Sequence, residues 1–173
     1  CPAGPAFEGG EVKYGMPGYE GAVESVKITK GQVNFTTIGN TTPNGICGSG
    51  LVDLLSELRK SGKMNELGAL EDGESEFFFD SENSLSISRR DISALAQAKS
   101  ANFSGQFIIL RNFRESIENI NKLYLSGGFA NFIDVENAKN IGFIADIPSE
   151  RVVKVGNASI EGATIMLLSG ALR

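Results

Sequence analysis

The sequence predicts an α/β fold in which a core of helices and short strands is interrupted by a small β-rich subdomain. Three observations carry this. Residues 122–131, Lys-Leu-Tyr-Leu-Ser-Gly-Gly-Phe-Ala-Asn, read as a short buried strand running straight into two glycines. From Ser88 onward the pattern is helix–strand–helix–strand–helix, whereas residues 11–87 mostly alternate apolar and polar side chains around a single helix. The expected division is one lobe from residues 1–10 and 88–173, with 11–87 inserted into it.

Each element has a local reason. Residues 1–10 place Gly4, Pro5, Gly9 and Gly10 around Ala-Phe-Glu, a small-residue turn. Val23, Val26, Ile28, Val33, Phe35 and Ile38 alternate with polar residues, and Lys30-Gly31 separates them into a hairpin, 23–29 with 32–38. Asn44-Gly45-Ile46-Cys47-Gly48-Ser49-Gly50 is a second glycine-rich turn. It opens a helix with Leu51, Val52, Leu54, Leu55 and Leu58 on one face. Ser49 is its expected N-cap, Asp53 favours its positive end, and Gly62 is its stop.

The acidic segment 66–82, with Phe77, Phe78 and Phe79 inside it, reads as another hairpin. Ser88-Arg89-Arg90-Asp91 has the Ser-x-x-acid form of a helix start. The helix it opens keeps its spacing to about Phe113, with a break expected near Ser104-Gly105. Asp134 caps a short helix that stops at Gly142. Residues 151–155 form a strand, Gly156-Asn157 a turn, and 158–172 a helix apolar on most faces, which is therefore expected at the centre of the fold.

Composition narrows the chemistry. A chain of 173 residues, 41% hydrophobic and 21% charged, has the composition of an ordinary globular domain. No apolar run reaches the roughly 18 residues of a membrane span, and the start has no signal-peptide pattern. With Cys1 and Cys47 as its only cysteines, the chain is expected in a reducing compartment, the cytoplasm. The absence of His removes serine-triad hydrolysis, the usual zinc sites and imidazole acid–base catalysis. A net charge of −5 argues against nucleic acid. The acids concentrate in 66–82, which holds no Lys or Arg and reads either as a solvated hairpin or as a docking surface for a basic partner. The start, Cys1-Pro2-Ala3 without Met, reads as a piece of a longer polypeptide.

No phosphate-binding loop ending in Gly-Lys-Ser/Thr is present, nor a Gly-x-Gly-x-x-Gly opening a βαβ unit. What remains is a set of glycine-rich turns at helix starts: Gly4 with Gly9, Gly45 with Gly48 and Gly50, and Gly127 with Gly128. Backbone N–H groups at such turns suit phosphates and polar ring edges, and glycine lets a ligand approach the backbone closely. Each, taken alone, reads more readily as a plain helix cap, since helix caps in α/β proteins are also rich in Gly. Glu8 and Asp53 are the acids nearest these turns, suited to a metal-bound water or a ribose hydroxyl, or to a surface or capping role. Lys99 lies among small residues on the long helix, where it serves a ribose or phosphate or simply reaches solvent. Cys47 reads as a redox thiol at a helix start or as a small structural side chain.

Across the last two-thirds, the chain resembles the nucleotide-binding half of the actin, sugar-kinase and heat-shock-chaperone superfamily. A closer resemblance covers nearly all 173 residues. Ala3-Gly4-Pro5-Ala6-Phe7-Glu8-Gly9, Gly45 to Asp53, Asp91-Ile92 with Gln97-Ala98-Lys99, Leu125 to Asp134 and Gly156-Asn157-Ala158 look like motifs of the corrinoid activation proteins. The resemblance implies an actin-like, ribonuclease H-like ATPase half-domain. It also implies ATP with Mg2+ as ligand, a [2Fe-2S] cluster in an N-terminal domain that this chain lacks, and a corrinoid protein as partner. The implied activity is ATP-driven return of that corrinoid from Co(II) to Co(I) for methyl transfer. A homodimer is compatible with it.

By the same resemblance Gly127 and Gly128 match the adenosine-binding glycine pair, Lys99 a helix Lys near the ribose, and Gly4 and Glu8 the turn after the second phosphate loop. The candidate nucleotide-binding set is Gly4, Glu8, Gly48, Ser49, Gly50, Lys99, Gly127, Gly128, Phe129 and Asn131, with no metal ligand and no assigned catalytic residue. The sequence departs from the chaperones at Ser100, where they place an Arg, and at Phe129-Ala130-Asn131, where they have Ser-Thr-Arg. The Asp-x-Gly-Thr phosphate loops are absent, so the chain alone is expected to bind ATP weakly and not to hydrolyse it. Two rivals stand beside this reading: an ATP-dependent electron activator of an acyl-CoA dehydratase or reductase, and a non-catalytic actin-like partner-binding module.

Overall fold

A computed structural model describes residues 2–170. Cys1 and Leu172 lie outside the described residues. Strand β1 (Ala22–Thr29) turns through Lys30 and Gly31, both at positive φ, into antiparallel β2 (Gln32–Thr37). A two-residue turn with both φ values positive matches the twist of the strands it joins, and Gly31 adopts that conformation without strain. Strand β3 (Gly45–Ile46) adds to β1 in parallel. Helix α1 (Gly48–Lys60) follows directly and packs on β1.

Helix α1 is the element the rest surrounds. Its residues from Gly48 to Leu58 are all buried, and Leu51, Leu54 and Leu58 are fully so. Burying each leucine side chain is worth about 1.5–3 kcal/mol. The close approach has a specific cause. A Cβ at Gly50 would stand 2.3 Å from the Val23 carbonyl oxygen, so only glycine lets α1 come this near β1. The expected N-cap moves back: Cys47 holds that position, and the Ser49 hydroxyl instead donates to the Glu24 carbonyl. The helix ends at Ser61, with Gly62 beyond it at φ 74°.

Strands β4 (Glu76–Asp80) and β5 (Leu85–Ser88) form the second hairpin, so only the end of the acidic segment lies in it. Ser88 then caps α2 (Arg89–Phe113) through a complete capping box with Asp91. The Asp91 carboxylate also accepts from the Lys13 N–H at 3.0 Å, tying the start of residues 11–87 to their end. Helix α2 runs unbroken through Ser104-Gly105, contrary to the expected break. One Gly costs about 1 kcal/mol in a helix interior, which 25 residues of intrahelical bonding absorb.

The last part contains β6 (Leu123–Leu125), α3 (Gly128–Phe132), α4 (Val135–Asn140), β7 (Val152–Lys154) and α5 (Ala158–Leu168). Asp134 caps α4 as expected, accepting from the Asn137 N–H. Strands β6 and β7 pair in parallel. Two expectations fail here. Strand β6 is not buried, since Tyr124 is 60% exposed, and α5 is peripheral, with Leu168 78% exposed. An all-round apolar helix calls for neighbours on every side, yet Ile160, Ile165, Met166 and Leu167 of α5 are all more than half exposed. The second half of α2 likewise leaves Phe107 and Phe113 exposed. One core joins Phe7, Val23, Leu54, Leu95, Ile133 and Phe143, and so spans the chain from its first turn to the residues after α4.

Replacing Gly50 with Ala forces α1 away from the Val23 carbonyl. A loss of about 1–3 kcal/mol is expected, as for overpacked cores, read from urea unfolding.

Candidate functional site

The glycine-rich turns separate into two physical kinds. At Gly48 an added Cβ would meet the Phe129 ring and the Phe7 carbonyl oxygen at 2.5 Å, and at Gly50 it would strike β1. Both glycines are filled against by protein. At Gly127 and Gly128 an added Cβ would meet nothing within 4 Å. Gly127 sits at φ 107°, a conformation open to glycine at little cost, and its N–H donates to the Gly156 carbonyl at 2.7 Å. The pair therefore presents bare backbone to open space at the carboxyl end of a strand.

That space is a hollow of about 530 Å3 lined by β6, Gly127, Gly128, Phe129 and Glu8, with Asn102 and Gln106 of α2 on its far side. The volume lies in the usual range of small-molecule sites, about 300–1,000 Å3. The Gln106 amide is fixed at both ends, donating to the Phe143 carbonyl and accepting from the Ala145 N–H. A second hollow, of about 510 Å3, lies across a shared wall of Glu8, Gly128 and Phe129, and takes in Gly48 and Ser49. Phe129 stands in that wall with its ring centroid 6.2 Å from Phe7 and 5.8 Å from Phe143. Its ring is thus committed to protein contacts.

The structure brings Glu8, Gly48, Ser49, Gly127, Gly128 and Phe129 together around these hollows. Asn131 lines neither; its Oδ1 accepts from the Gly156 N–H at 3.2 Å and so braces the two strand-to-helix turns. Gly4, at φ 93°, lines neither, and a Cβ there would stand 3.2 Å from Ala98 of α2. Lys99 is not brought to the glycine pair. It lines a hollow of about 110 Å3 beside Arg59, Met64 and Ile141, and its Cε lies 3.2 Å from where a Gly142 Cβ would be. Cys47 is buried, its thiol donating to the Val23 carbonyl at 3.4 Å. Among the described residues no three His, Cys, Asp or Glu side chains converge on a metal position, and no helix is long and apolar enough to cross a membrane.

A polar network that the sequence did not signal holds α1 to α4. Asp53 does not serve the helix start; it faces inward, accepting from the Val26 N–H at 3.3 Å and the Asn137 amide at 2.7 Å. Asn137 in turn accepts from the Ser56 hydroxyl and from Lys60. Burial pushes the Asp53 carboxyl above the usual carboxylate range, against the pull of those two hydrogen bonds. Nothing in the spacing of Asn137 marks it, because its partner lies 84 residues away.

For an acid whose folded pKa is raised, stability is greatest below the unfolded value and is lost as pH rises through the folded one. The stability of the wild type relative to Asp53→Asn is therefore expected to grow as pH falls from about 7 toward the unfolded Asp value of about 3.9, read from paired urea titrations.

Known proteins share this fold. The chain is 30% identical over 190 residues to the corrinoid activation enzyme RamQ of Eubacterium limosum, spanning 96% of this chain and 32% of that protein. A solved structure of a reductive activator for a corrinoid, iron-sulfur protein superposes with a TM-score of 0.89 at 35% identity, over 99% of this chain and 30% of that one. The chain thus spans about a third of the length of the relatives it matches. The profile described as the C-terminal domain of RACo, the ASKHA domain, matches residues 1–173, and the chain belongs to that family.

Proposed function

We propose that this chain is the C-terminal nucleotide-binding region of an ATP-dependent reductive activator that returns a corrinoid protein from Co(II) to Co(I) for methyl transfer. The observation that carries the reading is the Gly127-Gly128 pair, open on both residues, at the end of β6 and facing a hollow of about 530 Å3. The relatives named as a corrinoid activation enzyme and a reductive activator supply the reaction class and the partner.

In this reading residues 1–10 and 88–173 form the nucleotide lobe, 11–87 the inserted subdomain, and the cytoplasm is the compartment. Gly127 and Gly128 receive the nucleoside along their backbone, and Gln106, held at both ends, keeps the opposite side of the hollow in place. ATP with Mg2+ supplies the free energy of the uphill electron transfer when bound. In this reading phosphate and metal contacts fall to the remainder of a longer polypeptide. The described residues do not fit an iron–sulfur cluster: Cys47 is buried and bonded to a backbone carbonyl. In this reading a [2Fe-2S] cluster is carried elsewhere, and Cys47 does not supply the Cys-held interface cluster of the acyl-CoA dehydratase activators.

Calorimetry of ATP-Mg2+ with the full-length polypeptide tests the reading. Binding is expected, weakened about tenfold, or about 1.4 kcal/mol, by Gly128→Val, whose Cβ would meet no protein atom within 4 Å. Absence of ATP binding would favour a scaffold that has lost its nucleotide. The 173-residue chain alone is expected to show weak binding and no turnover; measurable hydrolysis by it would end the split-site account.

A further inference from the structure

The hollow on the other side of the Phe129 wall has a different chemistry from the one beside Gly127. Its walls are Phe7, Met16, Pro17, Ile38, Phe129 and Phe132. Its charged lining residues are Glu8 and Glu24, with no Lys or Arg among them. Neither carboxylate has a hydrogen-bond or ion-pair partner among the described residues. The remaining polar groups are already engaged, since the Ser49 hydroxyl donates to the Glu24 carbonyl and the Cys47 thiol to the Val23 carbonyl. The start of α1 opens here too, but the Phe129 ring lies over Gly48, where even a Cβ would be 2.5 Å from it.

These features reject one ligand class and select another. A phosphate or carboxylate would meet two uncompensated carboxylates here, where the hollow beside Gly127 has Glu8 alone, and like charges repel. A cation is attracted by the same carboxylates and also by the faces of nearby Phe rings. The volume, about 510 Å3, and the apolar walls suit a large apolar side chain with a basic neighbour. The rim favours a macromolecular occupant: Phe132 is 70% exposed, and Pro17 and Gly18, which line the same hollow, are exposed. An exposed aromatic residue at an apolar depression with a charged border is the anatomy of a protein-docking anchor.

We infer that the hollow formed by residues 16–18, Ile38 and α3 is a docking site for a partner polypeptide segment carrying a large apolar side chain flanked by Lys or Arg. The apolar side chain enters between Phe129, Phe132 and Met16, and the basic neighbours reach Glu8 and Glu24. The argument uses charge complementarity and shape and does not draw on nucleotide binding, although Glu8, Gly128 and Phe129 line both hollows.

The test is fluorescence polarisation of a labelled peptide with a central Phe–Leu pair flanked by arginines, titrated with the full-length polypeptide. Its charge-reversed twin carries glutamates in place of the arginines. The arginine peptide is expected to bind at least about tenfold more tightly than the twin, which is about 1.4 kcal/mol. Phe132→Ser, at an exposed position, should abolish binding, and Glu24→Lys should remove the preference between the two peptides. Equal binding of both peptides to the wild type, no binding of either, or arginine-peptide binding undiminished in both variants would overturn the inference. Self-association through this face, seen by sedimentation as a dimer that Phe132→Ser dissolves and the arginine peptide does not, would overturn it equally.

Discussion

The contact on which the rest of the structure depends is the one between the first turn of α1 and β1. Gly50 allows the helix backbone to approach the Val23 carbonyl more closely than any side chain permits. That approach places Leu51, Leu54 and Leu58 inside the core and sets Asp53 and Glu57 within reach of the β1 amides of Val26 and Ile28. It also fixes Gly48 beneath Phe129, and so the position of α3 and of the glycine pair that opens it. A fully buried helix with charged residues on it is stable only when each carboxylate is hydrogen-bonded, and here β1 and Asn137 provide the donors.

Much of this was legible in local sequence because its causes are local. Lys30-Gly31 marks a two-residue turn whose backbone demands positive φ, and the hairpin formed there. Ser88 with Asp91, and Asp134 before α4, are caps whose donors and acceptors sit three residues apart, so the signature and the hydrogen bond coincide. The glycine pair after β6 was readable for the same reason: a turn, a strand end and a missing Cβ are all properties of adjacent residues.

What was not legible depends on distant partners. Ser49 has the chemistry of an N-cap, but a carbonyl on β1 takes its hydroxyl, and sequence spacing does not reveal tertiary competition for a side chain. Gly48 and Gly50 belong to the same kind of turn as Gly127 and Gly128, yet one pair is packed against and the other open, a distinction that lives only in three dimensions. Lys99 keeps helical spacing with its neighbours, but the rotation of α2 about its axis, decided by Ile92 and Leu95 in the core, carries it to the α1 side. Apolarity showed that α5 seeks burial and could not show which atoms provide it.

The partition between the two hollows is one aromatic ring and one short stretch of main chain thick. Phe129 packs edge-on to Phe143, tilts against Phe7 and rests on Gly48, so it has almost no freedom to move without shifting the start of α1. Protein interiors of this density transmit small displacements instead of absorbing them. Occupants on either side of this ring would share a mechanical boundary, and each would sense the other's fit even though their charges call for opposite surroundings. Evolution of one cavity in such a fold is therefore constrained by the contents of its neighbour, and residues 128 and 129 answer to both.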